Sequence, residues 1–377
     1  MKHIPALDGL RAIAVLMVLV THFWGDPAEY PLLNRLAAAG WAGVDLFFVL
    51  SGFLITSILL ANKERPHYYR NFYARRTLRI FPLYYLVLAV VLIALPFVST
   101  LPAQVMEDRW LYFAYLSNVA LAVGGWQLFM IDITWSLAIE EQFYLGWPSV
   151  VRVLTRSRLV VLCAILVVLA PIARLIAFDA LGWRWIHMGT PFRLDAFAVG
   201  GLLALLHVSH RAAAALFGFG GISLLALVLT GQFARDSFLV GTVGYSLTAL
   251  TSGAALKVAT ASRWLAWRPL RRIGEVSYGM YLLHPICLVG LSVAFGLIEA
   301  DIMKLTGWPL PDAVLGLLLA SAGVYIVAAI CYRVYETPFL RLKRYFEAER
   351  GAAASPARPW TDNVNGVAVS AEQTPTL

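Results

Sequence analysis

Arg11 and His22 stand eleven positions apart in the run Leu7-Asp8-Gly9-Leu10-Arg11 through Val20-Thr21-His22. In an α-helix that spacing is close to a whole number of turns, so the two side chains share a face about 16 Å apart along the axis. Ionisable groups in an apolar span are costly and turn toward a polar interior or a cavity. A fixed cation below a titratable imidazole therefore reads as two points of one site. The plainer reading is two side chains reaching the two interfaces. Asp45, in Gly43-Val44-Asp45-Leu46-Phe47-Phe48-Val49-Leu50-Ser51-Gly52-Phe53, is expected near the depth of His22. From there a carboxylate can orient an imidazole and stabilise its protonated form, though a first-turn acid is also favoured by the helix dipole alone.

Three further groups have chemistry to offer. Arg75, Arg76 and Arg79 can project together from a helix entry. Guanidinium groups bind phosphate through paired hydrogen bonds, so the cluster suits a nucleotide-like anion, or an anchor on acidic lipid. Trp135-Ser136-Leu137-Ala138-Ile139-Glu140-Glu141 puts two adjacent glutamates in an apolar segment. They point about 100° apart, so they are not expected to face one cavity together unless the helix is broken; one is read as catalytic or as structural, pairing with an arginine, and the alternative is a solvated interfacial pair. Arg193 and Asp195 read as flanking an outer helix end. His284 lies deeper, before Pro285, and reads as a packed, hydrogen-bonded histidine.

The elements that must position these residues are membrane helices. The chain has 377 residues, 60% hydrophobic and only 14% charged, with a mean hydropathy of +0.73; soluble domains carry roughly a quarter charged residues. Apolar segments of spanning length run over 4–24, 41–61, 80–98, 159–178, 192–207, 212–231, 238–258, 277–298 and 313–332. The first reads as a retained helix, because Trp24-Gly25-Asp26-Pro27 is a turn and not a small-residue cleavage site. Cys163, Cys287 and Cys331 all lie in apolar segments with no metal-ligand spacing, so no metal is expected.

The net charge of +8 does not call for nucleic acid, because the cations gather in loops where they report topology. Arg70, Arg75, Arg76 and Arg79 mark one loop as cytoplasmic, Arg152, Arg156 and Arg158 a second, and Arg263, Arg268, Arg271 and Arg272 a third. The linkers 25–40, 99–109, 179–190 and 299–312 then fall outside. This alternation needs one net crossing between 110 and 150, hence one full helix plus a re-entrant or interfacial piece. The expected fold is an all-α polytopic bundle of about ten transmembrane helices with both termini cytoplasmic. Residues 1–346 form the membrane domain and 347–377 a disordered cytoplasmic tail. No inverted repeat is evident.

Taken in order, these stretches resemble the acyltransferase family 3 membrane proteins, which acylate cell-surface and exported sugars. The resemblance is carried by the Arg11–His22 pair, the Gly43–Phe53 run, the arginine cluster and Trp-Ser-Leu-x-x-Glu-Glu from Trp135. It continues in Arg193-Leu194-Asp195-Ala196-Phe197 and in Ser277-Tyr278-Gly279-Met280-Tyr281-Leu282-Leu283-His284, and covers about residues 5–345. Each motif alone is weak; six in the right order are specific.

The resemblance implies a multi-pass enzyme of the bacterial inner membrane. Its donor would be acyl-CoA, most often acetyl-CoA, on the cytoplasmic side, and its acceptor a glycan hydroxyl at the other face. Some members carry a fused extracytoplasmic hydrolase-like domain that completes the transfer. None is expected here, which leaves open a partner acyl-transfer protein outside the membrane. On this reading Arg11, Arg75, Arg76 and Arg79 hold the CoA phosphates, and His22 acts as general base or forms an acyl-histidine. Asp45, Glu140 or Glu141 assist it, and Ser136, Arg193, Asp195 and His284 serve as substrate-binding or structural polar groups. The alternatives are a transporter or flippase for an envelope sugar or lipid-linked intermediate, and a structural subunit of a polysaccharide assembly.

Overall fold

A computed structural model describes residues 4–24, 30–296 and 309–346. The expected tail, 347–377, and most of the linker 299–312 lie outside the described residues. Helices account for the architecture, and among the described residues there is no strand. In chain order they are α1 (Pro5–Phe23), α2 (Pro31–Ala38), α3 (Gly43–Asn62) and α4 (Tyr68–Leu88). Then come α5 (Ala103–Phe113), α6 (Ser117–Gly124), α7 (Phe129–Asp132), α8 (Thr134–Val153), α9 (Arg156–Met188) and α10 (Leu194–Leu205). The last five used here are α11 (His210–Leu229), α12 (Tyr245–Ala259), α13 (Arg268–Glu275), α14 (Ser277–Gly296) and α15 (Pro309–Cys331).

Among the described residues six stretches are long and apolar enough to cross a membrane: Pro5–Phe23, Pro31–Asn62, Tyr68–Phe97, Arg156–Met188, His210–Leu229 and Pro311–Phe346. Others are shorter or more polar than the sequence reading assumed. α10 has 12 residues, about 18 Å, which falls well short of a ~30 Å hydrocarbon core. Between 110 and 150 only α8, at 20 residues, has spanning length; α6 and α7 have eight and four.

The largest departure is α4. An apolar window places its start at residue 80, but the helix begins at Tyr68. Tyr68, Phe72, Ile80, Leu83, Tyr84, Val87 and Leu88 are buried, an apolar stripe of helical period that the interleaved arginines dilute in any average. Arg70, Arg75, Arg76 and Arg79 therefore stand on helical turns and not in a loop.

Two classes of helix result. α1 and α3 are buried over much of their surface, and α3 and α10 approach to backbone contact. A Cβ on Gly52 would collide with the Phe197 carbonyl, and one on Gly200 with the backbone of Val49 and Phe53, the small-residue packing that membrane helices favour. α9, α11 and α15 instead turn bare apolar faces outward: Ile176 is 75% exposed, Ile222 71% and Leu318 61%. In water such faces would be a liability; in lipid they are the expected exterior.

Candidate active site

Arg11 and His22 share α1, and the structure gives each a different task. Arg11 donates to Asp8 Oδ1, one turn earlier, at 3.3 Å. His22 Nδ1 lies 2.8 Å from the Val18 carbonyl oxygen. A carbonyl can only accept, so Nδ1 carries the proton and the neutral ring keeps its Nε2 lone pair free. His284 packs on the same imidazole, ring centres 4.8 Å apart, and its own Nδ1 donates to the Tyr281 carbonyl at 2.6 Å.

Cavities connect these side chains. A mouth of about 630 Å³ is lined by Arg11, Arg65, Arg75, Arg76, Arg79 and Lys343, with Asp8 its one acid among the described residues. Among the described residues Arg75, Arg76 and Arg79 have no carboxylate within ion-pair distance. Arg76 lies instead over the Tyr144 ring at 5.3 Å. Arg11, Arg76 and Arg79 also line a narrow inner cavity of about 100 Å³, together with Ser51, Ser136, Glu140 and Tyr281. Val44 and Tyr281 pass in turn into a cavity of about 340 Å³ that holds His22. That cavity shares Thr21, Trp41, Trp126 and Arg235 with an outermost one of about 590 Å³.

Polar contacts hold the inner cavity in shape. Glu140 Oε1 accepts from Ser51 Oγ at 2.9 Å and Oε2 from the Tyr144 hydroxyl at 2.9 Å. Ser51 and Tyr144 are themselves 3.0 Å apart, which closes a triangle between α3 and α8. Ser136 Oγ lies 2.6 Å from the Tyr281 hydroxyl, tying α8 to α14. Glu140 is thus the glutamate that faces the cavity. Glu141, about 100° around the helix, lines none of the described cavities and leaves Oε1 buried without a hydrogen-bond partner.

Two expectations need correction. Asp45 does not orient His22: among the described residues no hydrogen bond joins them, and Asp45 Oδ1 accepts from Arg193 at 2.5 Å. Arg193 and Asp195 do not merely flank a helix end, since each is 1% exposed. Arg193 also lies 3.9 Å over the ring of Tyr245. Asp195 pairs with Arg174 at 3.0 Å, and Arg174 reaches the Thr242 and Phe192 carbonyls and Ser246 Oγ at 2.9, 2.6 and 2.6 Å. Arg174 went unremarked in the sequence, although an arginine amid an apolar run is itself a signal. His187, which lines the His22 cavity and meets the Tyr245 hydroxyl at 2.7 Å, sits in a stretch read as a linker and gave no such signal. Among the described residues no cluster of His, Cys, Asp and Glu is placed to hold a metal.

Comparison with known proteins adds an independent line. A family model described as an acyltransferase domain matches residues 4–333. Over 329 residues, 78% of this chain and 50% of the relative, it is 31% identical to YrhL of Bacillus subtilis, provisionally named a peptidoglycan O-acetyltransferase. It is 28% identical over 370 residues to the Listeria monocytogenes peptidoglycan O-acetyltransferase OatA, covering 89% of this chain and 56% of that one. The Staphylococcus aureus O-acetyltransferase OatA is 27% identical over 370 residues, with 89% and 57% covered. The chain thus spans about half the length of the curated relatives it matches. No solved structure matches it.

Proposed function

The chain belongs to this acyltransferase-domain family, and from that premise we propose that it moves an acetyl group from acetyl-CoA to a hydroxyl of a cell-wall glycan. The observation that carries the reading is the row of cavities from the arginine mouth to His22, with Arg11, Arg76 and Arg79 shared at the first junction and Tyr281 at the second. Six cations against one acid among the described residues at the mouth suit the phosphates of CoA. The inner cavity is the smallest of the row, at about 100 Å³, which suits the slender pantetheine arm. The glycan class follows the names of the relatives.

In this mechanism the mouth faces the cytoplasm, and the chain crosses a bacterial inner membrane about ten times with both ends inside. His22 Nε2, left free by the Nδ1–Val18 bond, takes the proton from the acceptor hydroxyl as its oxygen attacks the thioester carbonyl. The C–S bond then breaks, and the departing thiolate receives that proton from the imidazolium. Glu140, held by Ser51 and Tyr144, lines the arm's passage and neutralises part of the surrounding arginine charge. Arg193, Asp45, Arg174 and Asp195 hold α3, α9, α10 and α12 in register around the passage. A partner protein could carry the acyl group onward outside the membrane.

The test uses the purified full chain in lipid nanodiscs, with radiolabelled acetyl-CoA and peptidoglycan fragments. Donor-dependent label in the glycan, lost in His22→Ala while acetyl-CoA still binds, is the expected result. A wild-type protein that does not bind acetyl-CoA would overturn the reading and favour a flippase, for which the same row of cavities could serve as a path.

A further inference from the structure

The outermost cavity has no role in the steps above, and its lining is unlike the mouth's. Among the described residues it presents Trp24, Trp41, Trp126 and Trp183, with Arg35 and Arg235 against a single acid, Asp236. Arg235 is distinctive among these. Its guanidinium lies 5.0 Å from the Trp126 ring centre and 6.0 Å from that of Trp183. Among the described residues it has no carboxylate within ion-pair distance. The buried Arg174 and Arg193 each have one. Arg235 also lines the His22 cavity, so it stands at the junction of the two. Trp41 stands there as well, and its buried indole N–H has no hydrogen-bond partner.

Indole faces pack against the C–H faces of pyranose rings, an N–H without a partner calls for a sugar oxygen, and an open guanidinium calls for an anion. We propose that this cavity is the acceptor subsite and that it selects a sugar carrying an anionic group, which Arg235 holds while a hydroxyl of the same glycan reaches the His22 cavity. The inference rests on the acyl-transfer reading for what the ligand does, but not for whether it binds. Carboxylate and phosphate both meet the chemistry.

The test is therefore equilibrium binding to the full chain in nanodiscs without any acyl donor. Three probes are used: a neutral N-acetylglucosamine tetramer, the same tetramer oxidised to the uronate, and its phosphate ester. One charge-assisted contact predicts that an anionic probe binds about tenfold tighter than the neutral one, and the tighter of the two identifies the anion. Arg235→Gln should shrink that gap to about twofold or less, whereas Arg235→Lys, which keeps the cation, should retain part of it. Trp126→Ala should weaken all probes alike. No gap in the wild type, no binding of any probe, or a gap unchanged in Arg235→Gln overturns the proposal. Failure of acetyl-CoA to bind would sink the preceding reading and leave this gap untouched.

Discussion

Two groups of charges lie within this bundle, one buried and one only half-buried, and they are built differently. Around Asp45 and Asp195 every arginine has its carboxylate: Arg193 meets Asp45 at 2.5 Å and Arg174 meets Asp195 at 3.0 Å. None of the four lines a described cavity. Around Arg11, Arg76 and Arg79 the cations outnumber the acids among the described residues, and the side chains line cavities. A buried ion pair closed off from any described cavity is a fastening, because removing one partner leaves an uncompensated charge, even though Asp45 Oδ2 and Arg193 Nε and Nη1 keep no hydrogen-bond partner. Charges left with spare donors beside a cavity are arranged for something that arrives. Charge in an apolar helix is therefore not by itself a sign of a reacting site; who already holds it decides.

The comparison can be broken at several points. The largest effect belongs to His22. His22→Ala should lower acyl transfer by about three orders of magnitude with no change in thermal unfolding, and near-normal turnover would remove the imidazole from the mechanism. Next comes the closed cluster, where Asp45→Ala should cost about 3–5 kcal/mol of stability, read as loss of folded protein by fluorescence-detected chromatography. The double change Asp45→Leu with Arg193→Met should recover most of it. An Asp45→Ala protein that unfolds normally yet is inactive would show that the fastening reading is wrong.

At the open end, replacing Arg76 and Arg79 together with glutamine should raise the KM for acetyl-CoA by about 10- to 100-fold and leave kcat nearly unchanged, since charge-assisted contacts are the ones lost. Raised salt should weaken donor binding in the wild type more than in this variant. The smallest change is expected for Tyr281→Phe. It removes the hydroxyl that meets Ser136 at 2.6 Å and should cost about 1 kcal/mol or less in kcat/KM; a total loss would make Tyr281 a reacting group.

The sequence made some of this legible because a single helix was enough. The shared face of Arg11 and His22 follows from helical pitch, and the arginine cluster stays together for the same reason. Membership of the acyltransferase family was likewise readable from six ordered motifs, and the family match over residues 4–333 bears it out. What depended on contacts between helices was not legible. Depth along the membrane put Asp45 level with His22, but depth says nothing about azimuth, and Asp45 turns toward Arg193, 148 positions away. Adjacency showed that Glu140 and Glu141 diverge without showing which one meets Ser51. The start of α4 was missed because the arginines that matter to the site are the residues that lower its hydropathy.

The narrowness of the inner cavity has a consequence for the cell's energy supply. A continuous row of water-filled spaces through a membrane would be a leak for protons and would discharge any gradient the membrane holds. At about 100 Å³ this compartment is the smallest of the cavities in the row. Its walls are tied by Ser51, Tyr144 and Glu140 on one side and by Ser136 and Tyr281 on the other. On the proposed reading it is the constriction of the row, and a donor arm lying in it would stand where a column of water would otherwise run.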